Sequence, residues 1–133
     1  MVHAELSVVR YKPAAHSKAH WALHLRIVDG GETRHLLYQA NGEAGNLHLD
    51  VVEADPLKSQ RFLEQIDICD IDGTSDIAEV ESHLKKQPMR NEISSWTCQD
   101  WVMESLETLS EESLLNEYQY HEAKQKLEAA YHD

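Results

Sequence analysis

The 133-residue sequence is short of positive charge: 12 Lys plus Arg stand against 24 Asp plus Glu, a formal charge of −12 with His neutral. That imbalance argues against nucleic acid or an anionic membrane surface as a partner, because both would repel the chain. Long apolar runs are missing as well, and no stretch approaches the roughly 18 residues needed to span a bilayer. The opening segment, MVHAELSVVRYKP, has no charged stretch leading into an apolar core, so no secretory signal is visible. Cysteine is scarce. Cys69 and Cys98 could form at most one bridge, which is no disulfide scaffold, and the expectation is a cytoplasmic protein with free thiols. There is no internal repeat, no calcium-loop spacing among Asp67, Asp70 and Asp72, and no Gly-rich segment leading from a strand into a helix to cradle a phosphate.

What is present suits one folded domain over residues 1–133. The hydrophobic share of 41% is enough for a core and the charged share of 27% is ordinary for a solvated surface. The strand-rich part spans residues 5–72. Leu6–Tyr11 carries β-branched valines, and His20–Val28 alternates, with Trp21, Leu23, Leu25 and Ile27 on one side and His20, Ala22, His24 and Arg26 on the other. Asp29-Gly30-Gly31 predicts a hairpin turn, a third strand follows at Thr33–Gln39, and Asn41-Gly42 predicts a second tight turn. Asn46–Val52 alternates again, and Phe62–Ile71 reads as the fifth strand. The part over 75–131 reads as helical: Ser75–Lys86 with Ser75 as cap, a second helix starting near Thr97, and a third over about Glu112–Tyr131. The expected fold class is α+β, a small antiparallel sheet of about five strands with about three helices packed on one face.

The segment most informative for function is SSWTCQDWVMESLETL, Ser94–Leu109. Thr97-Cys98-Gln99-Asp100 has the form of a capping box, which makes Thr97 the cap and Cys98 the first helical residue. Cys98, Trp101, Val102, Ser105, Leu106 and Leu109 then share one mostly apolar face. The thiol therefore sits at a helix end where free backbone N–H groups favour an anion, and the thiolate is the nucleophilic form of cysteine. The plain alternative is a small core residue. A nucleophile needs a base, and the base needs something to orient it. His20 and His24 share the polar face of the second strand, and His35 lies on the next strand at a register the sequence leaves open. Trp21 and Trp101 read as core anchors, while Trp96 could line a cleft beside Cys98.

The order of these residues, His20-Trp21 at a strand start, His35 on the following strand, then Cys98 opening a helix, resembles the circularly permuted papain-like superfamily. That superfamily is related to NlpC/P60 and includes lecithin:retinol acyltransferase-like and PPPDE-type proteins. The Cys-Gln-Asp-Trp run after Trp96 also resembles small fungal proteins with a Cys-Gln-(Asp/Asn)-aromatic motif. The resemblance spans roughly Val8 to Leu109. It implies Cys98 as nucleophile, His20 as general base and His35 as the third, orienting residue. It also implies His24 as an alternative base, with Trp96, Gln99 and Trp101 beside the pocket and the Cys98 backbone N–H stabilising an oxyanion.

The expected function is cysteine-dependent acyl chemistry, hydrolase or acyltransferase, on a small-molecule or peptide-like substrate, with no cofactor and no metal. Two other functions compete: acid–base chemistry by His20 and His35 without a thioester, or a non-catalytic module. In the last case Tyr120, Ala123, Leu127, Ala130 and Tyr131 on the final helix dock onto the domain or onto a second copy as a homodimer. His20, His24, His35 and Cys98 also supply the ligand types of a zinc site, though at the spacing of no structural finger.

Overall fold

The computed structural model describes residues 2–13 and 18–131. Five strands come first: β1 (Val2–Tyr11), β2 (His20–Asp29), β3 (Glu32–Glu43), β4 (Asn46–Glu53) and β5 (Phe62–Asp72). Three helices follow: α1 (Thr74–Lys86), α2 (Cys98–Glu111) and α3 (Glu117–Ala130). The sheet is antiparallel with strand order β4-β3-β2-β1-β5, so the architecture is α+β, with strands in the first half and helices in the second. Of the loop expected over Lys12–Ala19, residues 14–17 lie outside the described residues.

Strand alternation decides what is buried on each side. Leu6 and Val8 of β1, Trp21, Leu23 and Leu25 of β2, and Leu36 and Tyr38 of β3 form a continuous core with the helices. Those helices contribute Ile77, Val80 and Leu84 from α1, Trp101, Val102, Leu106 and Leu109 from α2, and Ala123, Leu127 and Ala130 from α3. Each large apolar side chain removed from water contributes about 1.5–3 kcal/mol. The other side of the sheet is buried too, at Ser7, Val9, Ala22, His24 and Leu37. The chain returns from β4 to β5 through a 3-10 turn at Pro56–Lys58, in which Pro56 is buried. Ala54 N–H donates to the His35 carbonyl at 3.0 Å, tying this return segment to β3.

Several boundaries differ from the sequence expectation. The second hairpin turns at Ala44-Gly45, because β3 runs on to Glu43 opposite Asn46. Gly42 is thus a strand residue, with a φ of 116°. An added Cβ there would lie 2.7 Å from the Asn46 carbonyl oxygen, which is why glycine occupies it. Helix α1 is capped by Gly73 without a side-chain bond, not by Ser75. The third helix starts at Glu117, behind a capping box formed by Asn116 and Gln119. The five residues before it are excluded because α2 ends at Glu111 and Ser113 takes a left-handed φ of 61°. The N–H groups of Leu114 and Leu115 then both return to the Leu109 carbonyl.

β2 is paired with β1 along its whole length, from His20 to Asp29. Its pairing with β3 ends at Leu23 and Tyr38, while β3 continues to Glu43 alongside β4. At this end of the sheet β2 and β3 part. The first turn of α2 enters the gap.

Candidate active site

Helix α2 begins as its sequence dictates. The Thr97 side chain accepts from the Gln99 N–H at 3.3 Å and the Asp100 carboxylate accepts from the Thr97 N–H at 2.8 Å, closing the capping box. Cys98 is the first residue of the helix. Its backbone N–H has no acceptor within the helix and is available to a ligand. The Trp21 N–H, freed where β2 leaves β3, points to the Cys98 Sγ at 3.5 Å. Gln99 fastens the same turn to the residue just before β2 by donating to the Ala19 carbonyl at 2.9 Å.

Across from the thiol stands His20. Both side chains line the same two cavities, and the nearby Cys98 is one of the groups that raise the pKa of the His20 imidazole. The other flank of the ring is held by Gln39, whose Oε1 lies 2.6 Å from His20 Nε2. The Gln39 amide nitrogen in turn donates to Asp50 at 3.2 Å. An ionised carboxylate only accepts, so Asp50 turns the amide NH2 toward itself and the amide oxygen toward His20. That oxygen needs a proton on Nε2, which leaves Nδ1 unprotonated in the neutral ring. Burial pushes the His20 pKa down. Cys98, Gln39 and Asp50 push it up and prevail, so it stands above its usual value.

Two cavities meet over these groups, of about 480 Å³ and about 560 Å³. Both are walled by Lys18, His20, Gly42 and Cys98. The first extends past Ala40, Leu47 and Trp96, and the second past Tyr11, Lys12, Leu37 and Arg61. Trp96 is kept in the first wall by its indole N–H, which donates to Glu104 of α2 at 2.6 Å, and Glu104 also accepts from Arg90.

A family model matches residues 6–116, from within β1 through the whole of α2 and up to the residue that caps α3. The chain belongs to DUF6540, a family of unknown function. No curated protein and no solved structure matches it significantly.

Of the residues the sequence singles out, this DUF6540 chain brings Cys98 and His20 together and places Trp96 and Gln99 in the cavity wall. His35 is not beside His20. The two-residue turn at Gly30-Gly31 sets Asp29 opposite Glu32, which puts His35 opposite Arg26, well down the strand. There its Nδ1 meets His24 Nε2 at 2.9 Å, with the rings stacked at 5.1 Å. The orienting position falls to Gln39, which sequence reasoning passed over. His24 is 3% exposed and faces Ser7 and Gln65 beside His35, so it belongs neither to the cavities nor to Cys98. The four zinc-type ligands therefore separate into two pairs. Among the described residues the group of His and carboxylate side chains close enough to share an ion is His3, Glu5 and Asp70, near the other end of β1. Trp101 is fully buried in the core and does not line the cleft. On α3, Ala123, Leu127 and Ala130 are buried within the chain's own core, so this face docks onto the domain, the first of the two outcomes the sequence offered. Tyr131, just past α3, donates its hydroxyl to Asp100, and its ring packs edge-on against Trp21 at 6.4 Å. Among the described residues no helix is long and apolar enough to cross a membrane.

Proposed function

We propose that the protein performs cysteine-dependent acyl chemistry, as a hydrolase or acyltransferase of permuted papain-like type. The observation that carries this reading is the line Cys98–His20–Gln39, set where two cavities meet at a helix N-terminus. Cys98 Sγ attacks the carbonyl of an ester, thioester or amide, and His20 Nδ1 takes the thiol proton and passes it to the leaving group. The Cys98 backbone N–H donates to the oxyanion. Water or a second nucleophile, deprotonated by His20, then releases the acyl group from sulfur. Gln39 holds the ring in the tautomer that leaves Nδ1 basic. The alternative in which His20 and His35 act as an acid–base pair finds no support in the distance between their strand positions.

The test uses p-nitrophenyl acetate with acid quenching and mass spectrometry of proteolytic fragments. An acetyl group is expected on Cys98, absent from Cys98→Ala and formed at least about tenfold more slowly in His20→Ala. Acetylation of Cys98 at an unchanged rate in His20→Ala would overturn the reading.

A further inference from the structure

The cleft has a charge pattern opposite to that of the molecule. Among the described residues the two cavities together are walled by twenty (twelve each, four of them shared), of which Lys12, Lys18 and Arg61 are cationic and none is acidic. Asp and Glu make up 24 of the 133 residues, so a random selection of twenty would hold three or four. The nearest carboxylate to the His20 line, Asp50, faces the side-chain amides of Gln39 and Asn41. Elsewhere the arginines are paired, Arg10 with Glu64, Arg26 with Glu5, Arg34 with Glu53 and Arg90 with Glu104, while the lysines Lys58, Lys85, Lys86, Lys124 and Lys126 lie outside the walls of these two cavities. Among the described residues Lys12, Lys18 and Arg61 form no such pair. They are also distributed unevenly, since Lys12 and Arg61 wall only the larger cavity, while the smaller one is lined by Ala40, Leu47 and Trp96. Arg61 is held there by its backbone carbonyl, which accepts from the Lys12 N–H at 2.7 Å, and by its guanidinium, which donates to the Lys12 carbonyl at 2.8 Å.

We infer that the substrate is an acyl compound bearing a small anionic group, carboxylate or phosphate, which Lys12, Lys18 and Arg61 hold in the larger cavity. The uncharged remainder lies against Trp96 and Leu47, and the reacting carbonyl sits over Cys98 between the two. This deepens the acyl-chemistry reading and rests on it for the identity of the reacting atom. The acyl–X bond breaks as the S–C bond forms, and the proton leaves with X. The anionic group itself takes no part in the bond changes.

Two alkylating agents of nearly equal size measure this field at the sulfur, iodoacetate with its carboxylate and iodoacetamide without charge. The quantity read is the ratio of their rate constants at Cys98, by fragment mass spectrometry, in the intact protein. Lys12→Gln/Arg61→Gln and Lys12→Gln/Lys18→Gln are expected to lower that ratio by about threefold or more at low salt, and added salt is expected to lower it in the unmodified protein. Lys85→Gln/Lys86→Gln, which removes the same charge from α1, is expected to leave it unchanged. The second cleft variant spares the Arg61 contact to the Lys12 carbonyl, so a folding defect in the first does not decide the matter. Slowing of the iodoacetamide reaction by succinate more than by inorganic phosphate assigns a carboxylate, and the reverse order assigns a phosphate. A ratio equal in both cleft variants and the unmodified protein overturns the inference. The ratio needs only a thiolate, so it remains readable if acetylation of Cys98 proves independent of His20, and the two failures are told apart.

Discussion

Gln39 is the residue on which the orientation of His20 depends, and its contribution has a sign. It accepts from His20 Nε2–H and helps raise the imidazole pKa against the burial that lowers it. Gln39→Leu removes that acceptor, so the acid limb of the pH profile of Cys98 acetylation is expected to shift to lower pH. The rate at the optimum is expected to fall by about tenfold or more as the ring loses its fixed tautomer. Gln39→Glu would instead raise the limb. A variant that merely loosened packing would lower the rate without moving the limb. The limb is a property of the coupled Cys98–His20 pair, so its displacement, not its absolute position, is the measurement. This residue was within reach of the sequence in principle. Asp29 opposite Glu32 follows from a two-residue Gly30-Gly31 turn, and continuing that register one pair beyond Leu23–Tyr38 brings Gln39 opposite Ala22, next to His20 on the same face. Counting the turn as three residues shifts the register by one and puts Gln39, and His35 with it, on the face opposite His20. Cys98 was legible because a capping box is a local pattern. Gly42 shows the reverse. Asn-Gly reads as a turn locally, and only the pairing of Glu43 with Asn46 shows it to be a strand residue.

At the scale of the element, α2 is the part whose placement makes the site, and it is fixed at its first turn from two directions. The capping box holds Thr97, Cys98, Gln99 and Asp100 in helical register, and Tyr131 reaches back from the end of α3 to the same Asp100. Burial together with that carboxylate pushes the Tyr131 pKa up to about 12, so its hydroxyl stays a donor throughout the neutral range. Thr97→Ala is expected to destabilise the protein by about 1 kcal/mol in chemical denaturation. It is also expected to slow Cys98 acetylation, since the helix start that aims the sulfur frays. Tyr131→Phe removes one hydrogen bond to a charged acceptor and is expected to cost about 1.5–3 kcal/mol. An unchanged denaturation midpoint in both variants would show that the first turn is held by Gln99 and the core alone. The boundaries of α3 were less legible than those of α2. Glu112–Asn116 has helix-compatible composition, and the break comes from the backbone at Ser113 and from Leu115 being drawn into the core.

Across the whole molecule, the sheet is buried on both faces, and the second of these introduces a pH dependence that the first cannot. Alternation identified the helix-covered face at once, because Trp21, Leu23 and Leu25 are apolar. The opposite face carries His20, His24 and Arg26 and reads as solvated. The return segment from β4 to β5 has no periodic signal, yet Leu37 and His24 end up buried on that face. Burial, then the neighbouring His35 and Arg26, lower the His24 pKa to about 4, with Asp55 and Glu5 opposing too weakly. In the unfolded chain the same imidazole titrates near 6.5. Between those two values the unfolded state binds a proton that the native state refuses, so stability present above pH 6.5 is lost as the pH falls toward 4. His20 has the opposite sign, since its raised pKa favours the native state below 6.5 and that gain disappears as the pH rises through it. Because the His24 shift is the large one, equilibrium unfolding should lose roughly 2 kcal/mol from this group between pH 7 and pH 4, after allowing for solvent screening of the full shift. His24→Gln keeps a polar group beside Ser7 and Gln65 but cannot titrate, so its stability should fall less than that of the unmodified protein over the same interval. Parallel pH curves for the two proteins would mean that His24 becomes protonated in place, with the return segment opening to admit solvent before the core unfolds.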